Sequence, residues 1–578
     1  MHHQPMRRQL LKMGLLAPVA GLTGGCSWYA HLFPPQPRPN PTSASARAID
    51  IHCHIFNGAD LPIRGFVEDV VLNLPDNALS IAPDALIELV SAVIKDQVIA
   101  PAKEAMLLRA GGGAHALSQP LDDDTLFRTR VTKAVQKLQT PPASEGGAHA
   151  RQPGEKPIAP QTQDNLQKAF QHFGGVGRSK GMRAHGKPTQ PQGTFTPDEV
   201  TAGIKAEGGV VYGVLWLGCL LTLNRLELAQ RLASLPSQDS ADVRLFVPAM
   251  IDFSYWVNDF SASSHADQIA VMTQIARVSA PKYPMHGWVS YCPWRQIHDD
   301  QQLARIQDAV MNGGLMGVKL YPPMGFYPTG NKDAADGGEV YPGELGQNPQ
   351  YIQQLDDNLE ALYQWCGSAG VPLLAHCSYS QYTSKQAGLR AAPDGWAKVL
   401  QRHPDLRLNI GHSGGLWSVA HSASNRPPGT PWTQRTLEIL NDSKLQYVSA
   451  DFADYSTMVE PGADNQQAFT ETMTAVKGWL DPATHKLARS RLMYGTDWSM
   501  LSQIHPNDTS YYLAMKSQIP QQLGFTQAES DGFLGANAAR LLGVSIQGGV
   551  KPQTRQRLEA FYKAHNLDPA NLALWDPA

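Results

Sequence analysis

A chain of 578 residues that is 42% hydrophobic and 17% charged carries enough apolar material for a large folded core. That length suits a barrel enzyme with insertions. A formal net charge of −3, with no basic run interleaved with aromatics, argues against a nucleic-acid partner.

The first segment reads as an address. Residues 1–26 have the pattern of a twin-arginine-type signal peptide: Met6-Arg7-Arg8-Gln9-Leu10-Leu11-Lys12, then the apolar run Met13 to Gly25. That run is too short to remain as a membrane-spanning helix. Leu22-Thr23-Gly24-Gly25-Cys26 is similar to a bacterial lipoprotein cleavage site, with Thr where Leu is commoner, and makes Cys26 a candidate for a lipid anchor. The expected destination is the bacterial periplasm. Residues 27–46, rich in Pro, Ser and Asn, read as a linker. The six cysteines at 26, 53, 219, 292, 366 and 377 form no CxxC pair, and five remain without Cys26. They imply neither a disulfide framework nor a structural zinc cluster.

Eight short apolar strands follow: "AIDIHCHIF" (48–56), "RLFVPAMIDF" (244–253), "HGWVSYCPW" (286–294), "MGVKLYPPM" (316–324), "PLLAHCSYS" (372–380), "RLNIGHSGG" (407–415), "LQYVSADF" (445–452) and "RLMYGTDWS" (491–499). Helical patterns such as "DQQLARIQDAVMNGG", "QQLDDNLEALYQWCGSAG" and "APDGWAKVLQRHP" fill several gaps. Strands alternating with helices predict a parallel sheet, and eight is the number that closes a (β/α)8 TIM barrel. A doubly wound open sheet is the alternative. The barrel is expected over 47–545, with a large insertion at about 58–240 between strands 1 and 2. That insertion would sit over the C-terminal face, where barrel loops shape active sites. Within it, "DALIELVSAVIKDQVI" is helical, 140–163 is low in order, and "GGVVYGVLWLGCLL" is a buried helix or strand. Residues 546–578 read as a C-terminal helical extension.

The chemistry gathers at strand ends. His52 and His54 are two apart, so alternation puts both on one face, a ready pair of metal ligands. His376 ends the fifth strand, His412 the sixth, and Asp497 the eighth. In a barrel that end is the active-site mouth, and nothing makes ordinary core histidines converge there.

Five segments carry a family resemblance: His52-Cys53-His54, "GVKLYPP" around Lys319, "LLAHCS" around His376, "NIGHSGG" around His412 and "YGTDW" around Asp497. The later "FLGANAARLLG" adds the helix after the last strand. The ordered set resembles the amidohydrolase superfamily, most closely its amidohydrolase-related branch of barrel metalloenzymes. The resemblance implies His52, His54, His376 and Asp497 as ligands to one divalent metal, most often zinc. It implies Asp497 and His412 as catalytic groups, Asp497 moving protons and His412 polarising a carbonyl, stabilising an oxyanion or binding a second metal. Lys319 is either a carboxylated bridge between two metals or an amine that orients substrate. Arg64, Arg295, Tyr321 and Trp498, with Trp294 and Tyr379, are candidate pocket residues, the arginines as clamps for a substrate carboxylate. Cys53 and Cys377 are expected to be small buried side chains turned away from the metal by alternation.

The expected activity is metal-dependent hydrolysis of an amide, lactone or ester of a small molecule. One alternative is decarboxylation or hydration of an aromatic or dienoic acid. Another is an exported metal-binding module without turnover. A third is a serine hydrolase, because Gly411-His412-Ser413-Gly414-Gly415 also fits G-x-S-x-G. That reading needs Ser413, then an acid, then a histidine. Asp497 with His505, or with the later His565, supplies the order. It lacks an HGGG-type oxyanion segment and leaves His52, His54 and His376 without a role.

Overall fold

The computed structural model describes residues 48–71, 79–95, 97–110, 121–140, 158–185, 195–237, 243–419, 431–459, 463–500, 510–545 and 553–576. The twin-arginine stretch, Cys26, the linker and His505 lie outside the described residues.

Eight strands appear where apolar runs predict them: β1 Ala48–Cys53, β2 Val243–Pro248, β3 Trp288–Ser290, β4 Gly317–Leu320, β5 Leu373–His376, β6 Leu408–Gly411, β7 Val448–Asp451 and β8 Leu492–Met493. Each is shorter than its apolar run, because the residues after the last ladder bond turn into the loops that hold the polar groups. β3 to β8 pair in order, all parallel, and β1 pairs with β2. Parallel bridges at Phe246–Met285 and Ala249–Trp288 join β2 to β3. Ile51 N donates to Tyr494 O at 3.4 Å, linking β1 to the chain leaving β8. The ring is therefore closed, a (β/α)8 barrel and not an open doubly wound sheet. Its strands are mostly buried and mostly apolar, as a parallel sheet covered by helices requires, and polar exceptions such as Asp50, His52, Lys319, His376, Asn409 and Asp451 are buried in the strands that carry them.

A helix follows each of β2 to β8: His265–Ser279, Gln302–Met311, Pro349–Ala369, Pro393–Arg402, Trp432–Leu440, Ala463–Trp479 and Asn537–Leu542. Pro349–Ala369 shows the local code. Pro occupies its first turn, the Asn348 side chain accepts from Gln350 N, and Gly370 ends it at φ 61.

Between β1 and β2 lie α1 Pro83–Ile94, α2 Pro101–Arg109, α3 Asp123–Gln139, α4 Pro160–His185, α5 Pro197–Glu207, α6 Gly209–Leu220 and α7 Arg225–Ser237. The start of α4 falls within the stretch expected to be low in order; Pro160 opens a helix there. α6 is apolar on every side and accordingly buried, with Val214, Leu215, Trp216 and Leu217 in the core. Among the described residues no single helix is long and apolar enough to cross a membrane.

After Asn537–Leu542 the chain returns beneath the barrel as α8 Gln553–Ala564 and a 3-10 turn, Pro569–Trp575. Tyr562, Leu572 and Trp575 share a core with Ile49, Val247, Met316 and Met493. Trp575 Nε1 donates to Arg244 O at 3.1 Å, and His286 Nε2 lies 3.2 Å from Tyr562 Oη. Arg244 and His286 stand at the start of β2 and just before β3, so this segment covers the N-terminal end of the barrel. The opposite end is left for the site.

One buried charge cluster fastens the β1–β2 segment to the loop after β1. Arg225, at the start of α7, is 1% exposed. Its Nη1 donates to Glu104 Oε2 at 2.7 Å, its Nε to Asp60 Oδ2 at 3.0 Å, and its Nη2 to Asn57 Oδ1 at 3.1 Å. Removing the cation strands two buried carboxylates. Arg225→Ala should lower stability in urea unfolding by about 3–5 kcal/mol; a loss below about 1 kcal/mol would be the size of an exposed pair and would contradict this role.

Candidate active site

β1 places Asp50 and His52 on one face, His54 follows directly after its last residue, and all three are buried. His52 donates from Nδ1 to Asp451 Oδ2 at 3.1 Å, and His54 donates from Nδ1 to the Ala249 carbonyl at 2.8 Å. A carboxylate or carbonyl oxygen can only accept, so the proton of each neutral ring belongs on Nδ1. Each Nε2 then carries a lone pair into the barrel mouth. His412 repeats the arrangement, with Nδ1 3.1 Å from the Ala453 carbonyl.

These inward atoms converge. His54 Nε2 is 3.0 Å from Asp497 Oδ1, and His52 Nε2 is 3.5 Å from the same oxygen. Lys319 Nζ is 2.9 Å from His52 Nε2. His412 Nε2 lies 3.0 Å from His376 Nδ1. Ligand atoms of His52, His412 and Asp497 fall within 4.8 Å of one another. His376 Nε2 is buried and hydrogen-bonds to nothing among the described residues. A lone pair facing a carboxylate oxygen at 3.0 Å is repulsive unless a proton or cation stands between them. The imidazoles and carboxylate therefore fit a divalent metal, and the acceptors behind the rings are the partners that ligating histidines need.

Burial favours neutral rings. It lowers His52 to about 3, with the Lys319 charge adding to the effect, and it lowers His376 and His412 as well. Burial also lowers Lys319, to about 8, against the pull of Asp497 and Asp451. For Asp497 burial acts upward, but the His54 contact and the neighbouring histidines outweigh it and hold the carboxyl at about 2. Asp50, by contrast, is raised to about 7 by burial, opposed by its bonds to Thr496.

The two turns that deliver His412 and Asp497 use left-handed backbone at non-glycine residues: His412 at φ 60, Ser413 at φ 48 and Asp497 at φ 56. Each costs about 1–3 kcal/mol and persists only where surrounding contacts fix it. For Asp497, its own N and Thr496 N donate to the His52 carbonyl at 2.7 and 3.0 Å. Asp50 clamps the same turn, taking Thr496 N at 3.1 Å and Thr496 Oγ1 at 2.7 Å. For His412, Gly414 lets the turn pass Trp432, whose backbone would lie 2.5 Å from an added Cβ.

Other candidate residues are placed as follows. Tyr321 stacks on His376 at 4.2 Å, and its hydroxyl donates to Gln381 at 2.8 Å. Trp498 is buried, and its carbonyl accepts from His54 N. Arg64 has a side chain 57% exposed and paired with Glu88 at 2.8 Å. Arg295 is held by both oxygens of Asp252, at 2.5 and 2.7 Å. Both guanidiniums are thus committed to a carboxylate of the chain. Trp294 donates to Glu344, and Tyr379 packs on Tyr382. Cys53 and Cys377 are buried thiols. Ser413 donates to the Asp451 carbonyl at 2.7 Å, and His565 packs on Phe561 beneath the barrel, away from Ser413. Asp50 and Asp451 were not singled out in the sequence. Asp50 shares the face of His52 and His54, and Asp451 ends its strand as His376 does, which was the available signal.

Residues 49–544 match the family model described as Amidohydrolase. No match is found among curated proteins. Similar solved structures include a putative 2-pyrone-4,6-dicarboxylic acid hydrolase from Pseudomonas putida, at 15% identity and a TM-score of 0.32, over 55% of this chain and 87% of that one. A 5-carboxyvanillate decarboxylase from Sphingomonas paucimobilis is similar at 13% identity and a TM-score of 0.30, over 54% and 82%. An amidohydrolase from Burkholderia multivorans with bound zinc is similar at 13% identity and a TM-score of 0.34, over 55% and 88%. The family match spans the whole barrel and every strand end that carries a polar group of the site, and the chain belongs to the amidohydrolase family.

Proposed function

We propose that the chain is a metal-dependent hydrolase that directs water at the carbonyl of a small-molecule amide, lactone or ester. The carrying observation is that chain acceptors take the Nδ1 protons of His52, His54 and His412, while the Nε2 atoms of His52 and His54 meet Asp497 and that of His412 meets His376 Nδ1. In this reading His52, His54, His376 and Asp497 hold one divalent metal, and zinc suits such a donor set best. Bound there, the metal would supply Lewis acidity and lower the pKa of water to about 7.

The remaining steps belong to the chain. Asp497, ionised at neutral pH, accepts the proton of the attacking water and passes it to the leaving group. His412 has its proton on the side of Ala453, so Nε2 offers a lone pair. That tautomer suits a proton acceptor or a ligand; stabilising an oxyanion would need the protonated ring, which burial disfavours. Lys319 Nζ, 2.9 Å from His52 Nε2, would give up that contact to the metal and stand beside it as an amine that orients substrate, and the phenol of Tyr321 covers His376. A carbamate on Lys319 would bring a second metal within reach of His412. Decarboxylation of an aromatic acid is the second reading; the two-point pairing of Arg295 with Asp252 ties up one of the clamps that would favour it.

Purified protein should contain one equivalent of metal per chain by elemental analysis. Chelation should abolish turnover on a panel of amides, lactones and esters, and zinc should restore it. Release of CO2 from aromatic acids, with no hydrolysis, would replace this reading by the second. Turnover that survives complete metal removal but stops with a serine-directed inhibitor would overturn both. His54→Ala should lose metal. Ser413→Ala should keep turnover within roughly tenfold, since the hydroxyl supplies one hydrogen bond worth about 1 kcal/mol. Export rests on the twin-arginine stretch: replacing Arg7 and Arg8 together by lysine should retain the chain in the cytoplasm, and unchanged export would refute that assignment.

A further inference from the structure

β7 ends on Asp451, a fully buried residue outside the proposed ligand set. Its two oxygens divide four donors between separate parts of the barrel. Oδ2 takes His52 Nδ1 at 3.1 Å and Asn409 Nδ2 at 2.7 Å. Oδ1 takes His412 N at 2.9 Å and Ala453 N at 3.1 Å. Its own carbonyl accepts from Ser413 Oγ at 2.7 Å. One side chain thus fastens a ring on β1, a side chain on β6 and the left-handed turn that presents His412.

We propose that Asp451 is a positioning residue that fixes both the tautomer of His52 and the seat of His412, so that His52 Nε2 stays directed at the metal and His412 Nε2 stays beside it. The proposal rests on the metal-centre reading above. The chemistry requires a carboxylate at this position. All four partners are donors, and only a group with two accepting oxygens satisfies them together. An amide of the same shape accepts on one side alone. With its oxygen toward His412 N and Ala453 N, its NH2 faces His52 Nδ1. The ring must then accept at Nδ1 and carry its proton on Nε2, where the lone pair for the metal was. With the amide reversed, its NH2 faces the two backbone donors and the His412 turn loses its anchor. Either orientation disables one of the two histidines. Partners behind a ligating histidine of this kind typically contribute roughly 10–100-fold to metal affinity.

The test compares Asp451→Asn with wild type. Zn2+ affinity is measured by competition with a chromophoric chelator, and the visible spectrum of the Co2+-loaded protein reports the ligand geometry. Far-UV circular dichroism checks the fold. The expected result is a folded variant with Zn2+ affinity reduced roughly 10–100-fold and an altered Co2+ spectrum. A folded variant with wild-type affinity and spectrum would overturn the proposal while leaving the metal centre standing. A wild-type protein that binds neither ion would overturn the metal-centre reading, and this proposal with it. If Asp451→Asn does not fold, 15N-histidine spectra of metal-free wild type decide the point, with the His52 signal assigned by its loss in His52→Gln. The proposal requires the proton on Nδ1 of His52, and a proton on Nε2 refutes it.

Discussion

Lone pairs and a carboxylate cannot be packed against one another in a buried pocket without a positive charge among them. His54 Nε2 and Asp497 Oδ1 stand 3.0 Å apart, while the other nitrogen of the ring already serves Ala249. His52 is pinned in the same way by Asp451, and its other nitrogen lies 2.9 Å from Lys319 Nζ and 3.5 Å from Asp497 Oδ1. The rest of the site follows from this constraint. The groups behind the rings choose the tautomers, the tautomers choose which atoms face inward, and the inward atoms define a place for a cation.

The barrel supplies the geometry that makes such a collection affordable. Parallel strands send every C-terminal end to one rim, so residues far apart in sequence meet without long connections. The cost appears in the turns. His412, Ser413 and Asp497 occupy left-handed backbone, and two buried aspartates hold those turns in place. Asp451 and Asp50 are therefore part of the site although neither is needed as a ligand. The C-terminal segment around Tyr562 and Trp575 covers the other end of the barrel, away from the site.

Much of this was legible in the sequence because it rests on short-range patterns. Apolar runs at parallel-sheet length marked eight strands, and polar residues at their ends marked His52, His54, His376, His412 and Asp497. What escaped depends on partners distant in sequence. Asp451 contacts His52 across 399 positions, and no local pattern announces such a bond. Arg64 and Arg295 looked available as clamps because Glu88 and Asp252 meet them only in the folded chain. The direction of His412 was undetermined for a similar reason: its tautomer is set by a carbonyl, and a backbone carbonyl leaves no trace in residue identity. Gly414, at φ 79 against the Trp432 backbone, lets the chain turn there after His412.

The central claim is that the inward nitrogens and Asp497 surround one cation. Anomalous diffraction at the zinc edge, on crystals of the zinc-loaded chain, tests it directly. The account predicts one strong peak about 2.0–2.2 Å from His52 Nε2, His54 Nε2, His376 Nε2 and an Asp497 oxygen, the distances of zinc–imidazole and zinc–carboxylate bonds. A peak elsewhere, or none in zinc-loaded crystals with the mouth ordered, would contradict it.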